Sequence, residues 1–571
     1  MAETQFSPGV ITIENEQPII NNQPIQIGAA IIGPTTKGPV EIPTIVTTYS
    51  EYLTQFGDTF TSGSQVYSYL TSISAYNYFQ NGGTTLLVTR VTSGSFSPAT
   101  SSIISNGLDA TSSSFSLETL SEGVIMNSTS TQNADGSLVS GSIDNLRYQI
   151  TSPDTSSGTF SLLVRRGNDD TINPIVLETW TDLSLDPISP NYIEKIIGNQ
   201  IESIQQDGDY YVDLTGNYPN QSNYIRIKQV NYPTPNYLDN AGNAKNEYTS
   251  SIPLVSSGSF GGAVGSNIPT TAGNYYNNID NLNTQGLQAS DYDQSVALLA
   301  NTDEFKYNYI SVPGLIKGFV SHSSTLSSLV ANCQSRGDTL AIIDLVEYQS
   351  NLIPVTTQAT SVNNSYAAAY WPWVQTLDPF TAQQIWVPAS TMIPGVYAFN
   401  DASAEVWNAP AGTLRGSIAT ATRAERKLTK TNRDDLYKAN VNPITTSPNT
   451  GVTVFGQKTL KKKQSATDRV GVRRLLIELK TQIGNMAENL VFEQNTAATR
   501  NDFLSQVNPY LSSIQQRQGL TDYKVIMDDS NNTSNVIDNN QLVGAIYIQP
   551  TKTAEFITLS FNITPTGATF T

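Results

Sequence analysis

The chain has 571 residues, of which only 14% are charged and 38% hydrophobic, the remainder being rich in Ser, Thr, Asn, Gln and Tyr. That is too long for one core, so three or four modules are expected, and the balance suits a β-rich extracellular or virion-like protein better than a cytosolic metabolic enzyme. A net charge of -17 argues against bulk nucleic-acid binding, and a single His322 and a single Cys333 exclude multi-histidine metal centres, thiolate clusters and an intrachain disulfide.

The opening "MAETQFSPGV" lacks the basic and apolar regions of a secretory signal, and no run approaches the roughly 20 apolar residues of a transmembrane helix, so no stable membrane insertion is expected. "SPGVITIE" then reads as a short strand carrying Val10, Ile11 and Ile13. A strand follows in "IQIGAAIIG", Tyr49, Tyr52 and Phe56 have helical spacing, and Thr84 to Val91 reads as a buried strand. Composition shifts abruptly between Thr92 and Phe160, where 28 residues are Ser or Thr and Arg147 is the lone cation. Its short alternating runs predict a β-sandwich or barrel inserted into a more apolar frame.

"FSLLVRRGN" and "NPIVLETWTDLSLDP" return to strands, and "SPNYIEKIIGNQ" opens like a helix with Ser189 or Asn191 as cap and Ile193, Ile196 and Ile197 on one face. From Ser256 to Gly286 the chain reads as loop. Beyond about residue 310 it becomes α/β in character, with a helix in "SSTLSSLVANCQSRG" stopped by Gly337 and a buried strand in "TLAIIDL". Val472, Leu475, Leu476, Leu479, Ile483, Met486 and Leu490 form one amphipathic stripe. Phe503, Val507, Leu511 and Ile514 form a second, expected to bend or restart at Pro509. Three strands close the sequence, and in the last Ile557, Leu559, Phe561 and Ile563 share a face.

Candidate chemistry is sparse. His322, between two serines, reads as a surface or capping residue and Cys333 as a buried free thiol. The glycines at 258, 261, 262 and 265 lack the G-K-[ST] of a phosphate loop and read as a surface loop. The acid pairs Asp169-Asp170 and Asp528-Asp529 read as solvated turns. No cofactor or metal is implied. Residues 421 to 480 hold 14 Lys and Arg against 5 acids, a local +9, without the interleaved aromatics of a nucleic-acid site, so a surface facing a partner is the better reading.

Four of the five tryptophans fall between 371 and 407, led by "YWPWV". Tyr370, Trp371, Trp373, Trp386 and Trp407 are read as packing residues and not as an open sugar platform. The stretch Ser365 to Gly412, "SYAAAYWPWVQTLDPFTAQQIWVPASTMIPGVYAFNDASAEVWNAPAG", resembles the signature region of contractile phage tail sheath proteins. "SPGV" at 7, "LSLDPISPNYIEKIIG" at 183, "VPGL" at 312, "VFGQKTL" at 454, "VRRLLIELKTQI" at 472 and "VFEQN" at 491 are similar to sheath motifs in the same order. Ala389, Phe399, Glu405 and Phe455 stand where Pro, Arg, Gly and Trp are frequent.

The resemblance implies a non-enzymatic virion tail subunit, assembled in the host cytoplasm. It implies stacked hexameric rings around a tail tube, contraction that drives the tube through the host envelope, and baseplate and tail terminator partners. It also implies strand-like terminal arms, here Val10, Ile11 and Ile13 and Ile557, Leu559, Phe561 and Ile563, that complete sheets in neighbouring copies. Lys458, Lys461, Lys462, Lys463, Arg473 and Arg474 are the expected tube-facing cations. The expected fold is α+β multidomain, an α/β core built from the C-terminal half plus an N-terminal segment with inserted β-rich outer domains: an N-terminal arm (1–22), a discontinuous middle domain (23–91 and 166–310), a β-rich outer insertion (92–165), a C-terminal sheath core (311–553) and a C-terminal arm (554–571). The competing reading is a receptor-binding, adhesin-like virion protein, supported by the polar insertion; a carbohydrate-active enzyme rests only on the aromatics and scattered acids.

Overall fold

The computed structural model describes residues 27–62, 65–108, 111–266, 278–447 and 450–555. The expected arm residues Val10, Ile11, Ile13, Ile557, Leu559, Phe561 and Ile563 lie outside them.

The apolar runs "IGAAIIG", "LLVTR", "LAIID" and "AAAYW" have no polar face, which is the pattern of strands covered on both sides. They lie in one eight-stranded sheet whose order is Thr44–Val46, Leu86–Arg90, Ile27–Gly33, Tyr307–Ile316, Leu340–Asp344, Ala367–Trp371, Asn442–Ser447 and Gly451–Val454. The six central strands run parallel, and the two edge strands are antiparallel to their neighbours. Alternate side chains enter two separate cores. Ala29, Ile31, Leu340, Ile342, Ala368 and Tyr370 point into one, and Ala30, Ile32, Ala341, Ile343, Ala369 and Trp371 into the other.

Helices Tyr49–Phe56, Leu70–Gln80 and Ile393–Ser403 supply the first core. Val320–Arg336, Leu352–Val362 and Lys430–Lys438 supply the second. Gly337 ends the helix at Arg336 in the left-handed conformation, φ 75°, its N–H bonded to the Cys333 carbonyl. Cys333 is buried in the second core. His322 is buried too, not at the surface: its Nδ1 accepts the Ile316 N–H at 3.1 Å, fastening the end of a core strand to the helix that follows. Burial pushes its imidazole down to about 4, so it is neutral there.

The insertion is larger than its Ser/Thr-rich composition suggested. One antiparallel seven-stranded sheet takes Val176–Ser184, Thr159–Arg166, Leu146–Asp154, Ser256–Gly261, Pro98–Ser101, Phe115–Glu122 and Ile225–Val230 in that order. The strands Val176–Ser184, Ile225–Val230 and Ser256–Gly261, in a stretch assigned by sequence to the middle domain, therefore pair within the insertion, whereas Ile201–Asp207 and Asp209–Thr215 pair only with each other; Gly258 and Gly261 lie on a strand and not in a loop. Both edge strands feed the same core with Phe115, Tyr148, Phe160 and Phe260, and the short helix Ile193–Ile197 packs against both, so the sheet curls around one centre. The boundary was missed because the apolar residues of 176–230 alternate as weakly as those of a surface strand, and only their pairing reveals the shared core.

A third unit joins helices Val470–Glu488 and Ala497–Gln516 to a hairpin of Leu520–Ile526 and Ala545–Pro550. Leu475, Leu479, Phe503, Val507, Leu511, Ile514 and Leu520 share its core. The second helix runs unbroken through Pro509. The carbonyl that a proline deprives of its partner belongs to Ser505, which is exposed and so within reach of water, while the apolar stripe stays in register.

Candidate assembly site

The C-terminal hairpin is one of three two-stranded sheets among the described residues, and the one that lies on the pair of long helices. Its strands pair only with each other among the described residues, leaving an unpaired edge on each, and Val543, Ile546 and Tyr547 are exposed on it. Leu520, at the start of the first strand, is buried on the helix pair, so one face is fixed and the edges are free. An edge held in this way is a template for β-addition by another strand.

The basic segment divides sharply. Arg473 is buried, donates to Ser365 Oγ at 2.6 Å and lies 4.0 Å from the Tyr366 ring centre. Arg474 is buried, ion-paired with Asp401 and set 4.8 Å from the Tyr397 ring centre. Burial works against the charge of Arg474, but Asp401 and the flanking tyrosines outweigh it and hold the guanidinium above its ordinary value. Neither arginine is presented at the surface of the subunit. Each is consumed inside the subunit, because a buried guanidinium is tolerated only where carboxylate, hydroxyl and ring faces replace its water.

Lys458 is half-buried, its Nζ donating to the Tyr437 carbonyl at 2.8 Å and to Asn440 Oδ1 at 3.1 Å and lying 3.7 Å from the Tyr437 ring centre. Lys461 donates to Thr467 Oγ1 at 3.0 Å. Lys462 and Lys463 are exposed. A cluster absent from the sequence reading centres on Arg469, which pairs with Glu555 through Nε–Oε1 at 2.7 Å and Nη2–Oε2 at 3.0 Å. The partners are 86 positions apart, and no local pattern links them.

The aromatic cluster is interior. Tyr370, Trp371 and Trp373 are each no more than 3% exposed, so no ring is available to a sugar. The Tyr370 and Tyr397 hydroxyls lie 2.6 Å apart, and Trp373 Nε1 donates to the Val346 carbonyl at 3.1 Å. Tyr348 packs between Trp373 and the half-buried Trp386. Trp407, also half-buried, donates to the Arg517 carbonyl at 3.3 Å and packs against the hydrophobic core of the C-terminal unit. Among the described residues no group of His, Cys, Asp and Glu has the arrangement of a metal site, and no helix is long and apolar enough to cross a membrane.

Residues 285–460 match the phage tail sheath protein central domain, and residues 462–564 match the phage tail sheath C-terminal domain. These residues belong to the phage tail sheath protein family. It is 34% identical to the tail sheath protein of Vibrio phage KVP40 over 269 residues, 46% of this chain and 40% of that protein. With the tail sheath protein of Enterobacteria phage T4 it shares 34% identity over 232 residues, 41% of this chain and 35% of the relative. These matches thus span two-fifths or less of the length of the relatives. A sheath tail protein from Listeria innocua has the same fold at 10% identity, with a TM-score of 0.53 over 92% of this chain and 95% of that one. Both sheath domain matches begin past the seven-stranded insertion, at 285 and 462, and the second contains the open hairpin.

Proposed function

We propose that this chain is the structural subunit of a contractile tail sheath that polymerises as stacked hexameric rings around a tail tube and contracts to drive the tube through a host envelope. The observation that carries the reading is the open-edged hairpin mounted on two packed helices within the matched C-terminal domain. Its backbone groups suit strands donated by other copies, and Ile11 and Ile13, with Val10 in the opposite phase, and Ile557, Leu559, Phe561 and Ile563 have the alternation such strands need. A head-to-tail contact of this kind extends into a helical polymer unless its rotation closes. No nucleotide is required, because an assembled lattice held away from its lowest-energy packing stores the work of contraction.

Of the six cations expected to face the tube, Lys461, Lys462 and Lys463 keep that role in this reading; Arg473 and Arg474 do not, and Lys458 serves the subunit itself. Tube, baseplate and terminator proteins are the expected partners, in the virion tail, with assembly in the host cytoplasm. Electron microscopy of the purified protein at high concentration, with and without residues 1–21, tests the reading. Hollow tubes that vanish on deletion are expected; discrete particles in both samples, even with a tube protein present, overturn it in favour of an adhesin.

A further inference from the structure

The chain leaves the C-terminal hairpin at Pro550 and, five residues on, inserts a carboxylate into a pocket on the subunit body. Glu555 takes two hydrogen bonds from Arg469, a third from Gln457 Nε2 at 3.1 Å and a fourth from the Tyr437 hydroxyl. Arg469 Nη2 also donates to the Tyr437 hydroxyl at 2.9 Å, so the phenol is oriented to pass its own proton on to the carboxylate. Two of these groups stand on the central domain and the third at the start of the C-terminal unit. Tyr437 is on the helix Lys430–Lys438, whose Leu436 is fully buried. Gln457 follows the edge strand Gly451–Val454 and is 4% exposed. Arg469 directly precedes the helix Val470–Glu488, and the Val470 N–H is bonded to the Gln457 carbonyl at 2.7 Å.

We propose that Arg469, Tyr437 and Gln457 form a carboxylate receptor that fastens the chain at Glu555 to the subunit body, so that tension on the chain beyond Glu555 passes into the junction of the central domain with the first C-terminal helix and not into the C-terminal hairpin. A two-stranded hairpin alone is marginally stable, and a pull on its final strand would strip its pairs in turn, beginning at Leu520 and Pro550. A bidentate arginine–carboxylate pair backed by a phenol and an amide resists that pull with charge-assisted bonds. The ion pair is partly exposed, 25% for Arg469 and 19% for Glu555, which makes the fastening sensitive to salt. The fastening stands apart from the sheath reading; its mechanical purpose rests on it.

Hydrogen exchange on the soluble protein tests the receptor. Exchange at Thr551 to Glu555 is expected to rise roughly ten-fold in Glu555→Gln and less in Tyr437→Phe, which removes a single hydroxyl, with high salt producing the same rise in the unaltered chain. The double exchange Arg469→Glu with Glu555→Arg is expected to recover protection. Unchanged exchange in Glu555→Gln overturns the receptor. For the mechanical purpose, tubes of Glu555→Gln are expected to come apart at lower urea than unaltered tubes, and equal resistance overturns that purpose. Failure of the unaltered protein to form tubes counts against the sheath reading and leaves the exchange result to decide the receptor.

Discussion

In the central sheet the strand Leu340–Asp344 is buried along its whole length, whereas Leu146–Asp154 in the insertion starts buried and ends exposed. The first is one of a parallel set with helices on both sides; the second belongs to an antiparallel sheet whose other face meets water. Each region nevertheless buries charge. In the insertion Asp169 accepts from Arg147 at 3.1 Å and from Arg165 at 2.7 Å, all three being buried. In the centre Arg474 meets Asp401 among tyrosines. Two regions with separate cores and internally compensated charge need not unfold together, and that difference can be broken experimentally.

The largest effect is expected from Asp169→Ala, which strands two buried arginines and should cost about 3–5 kcal/mol. Calorimetry of the whole protein should show only the insertion's transition fall; a shared fall of all transitions would mean that the regions unfold as one. Trp373→Ala is expected to cost about 3–4 kcal/mol and to lower the central transition instead, because it empties the core beside Tyr348 and Val346.

A pH titration sharpens the same contrast. Burial pushes the Asp344 carboxyl up to about 7, hydrogen bonds from the Ser390 N–H and hydroxyl opposing it only in part. A folded value above the ordinary 3.8 means that the native state binds the extra proton, so this contribution is complete below 3.8 and is lost as pH rises towards 7. The central transition is therefore expected to fall between pH 4 and pH 7, and Asp344→Asn to flatten the slope. The smallest effect on folding belongs to Lys462→Glu with Lys463→Glu, within about 0.5 kcal/mol, since neither side chain packs. Extended assembly on a tube should nevertheless weaken and become more salt-sensitive, measured by co-sedimentation. Undiminished assembly would remove these lysines from the tube-facing surface.

Much of the central domain was legible in the residues. Unbroken apolar runs identify strands covered on both faces, and Gly337 marks its helix end because a left-handed residue there costs glycine little. Pro509 misled because the cost of a proline depends on whether water can reach the abandoned carbonyl, which spacing does not disclose. His322 misled for a related reason: its neighbours in sequence are polar, but its surroundings are Phe319 and the end of a core strand.

By itself the sequence determined the alternation of the strands, the stripes of the two long helices and the motif order that marks the sheath family, because each depends on residues near one another in the chain. The tertiary structure decided which charges are available. Arg473, Arg474, Lys462 and Lys463 are written alike as cations within a dozen positions, yet two are buried against Ser365, Tyr366, Tyr397 and Asp401 and two stand in water. Whether a charge is free or consumed depends on what desolvates and pairs it, and for Arg469 that partner, Glu555, comes from the far end of the described chain.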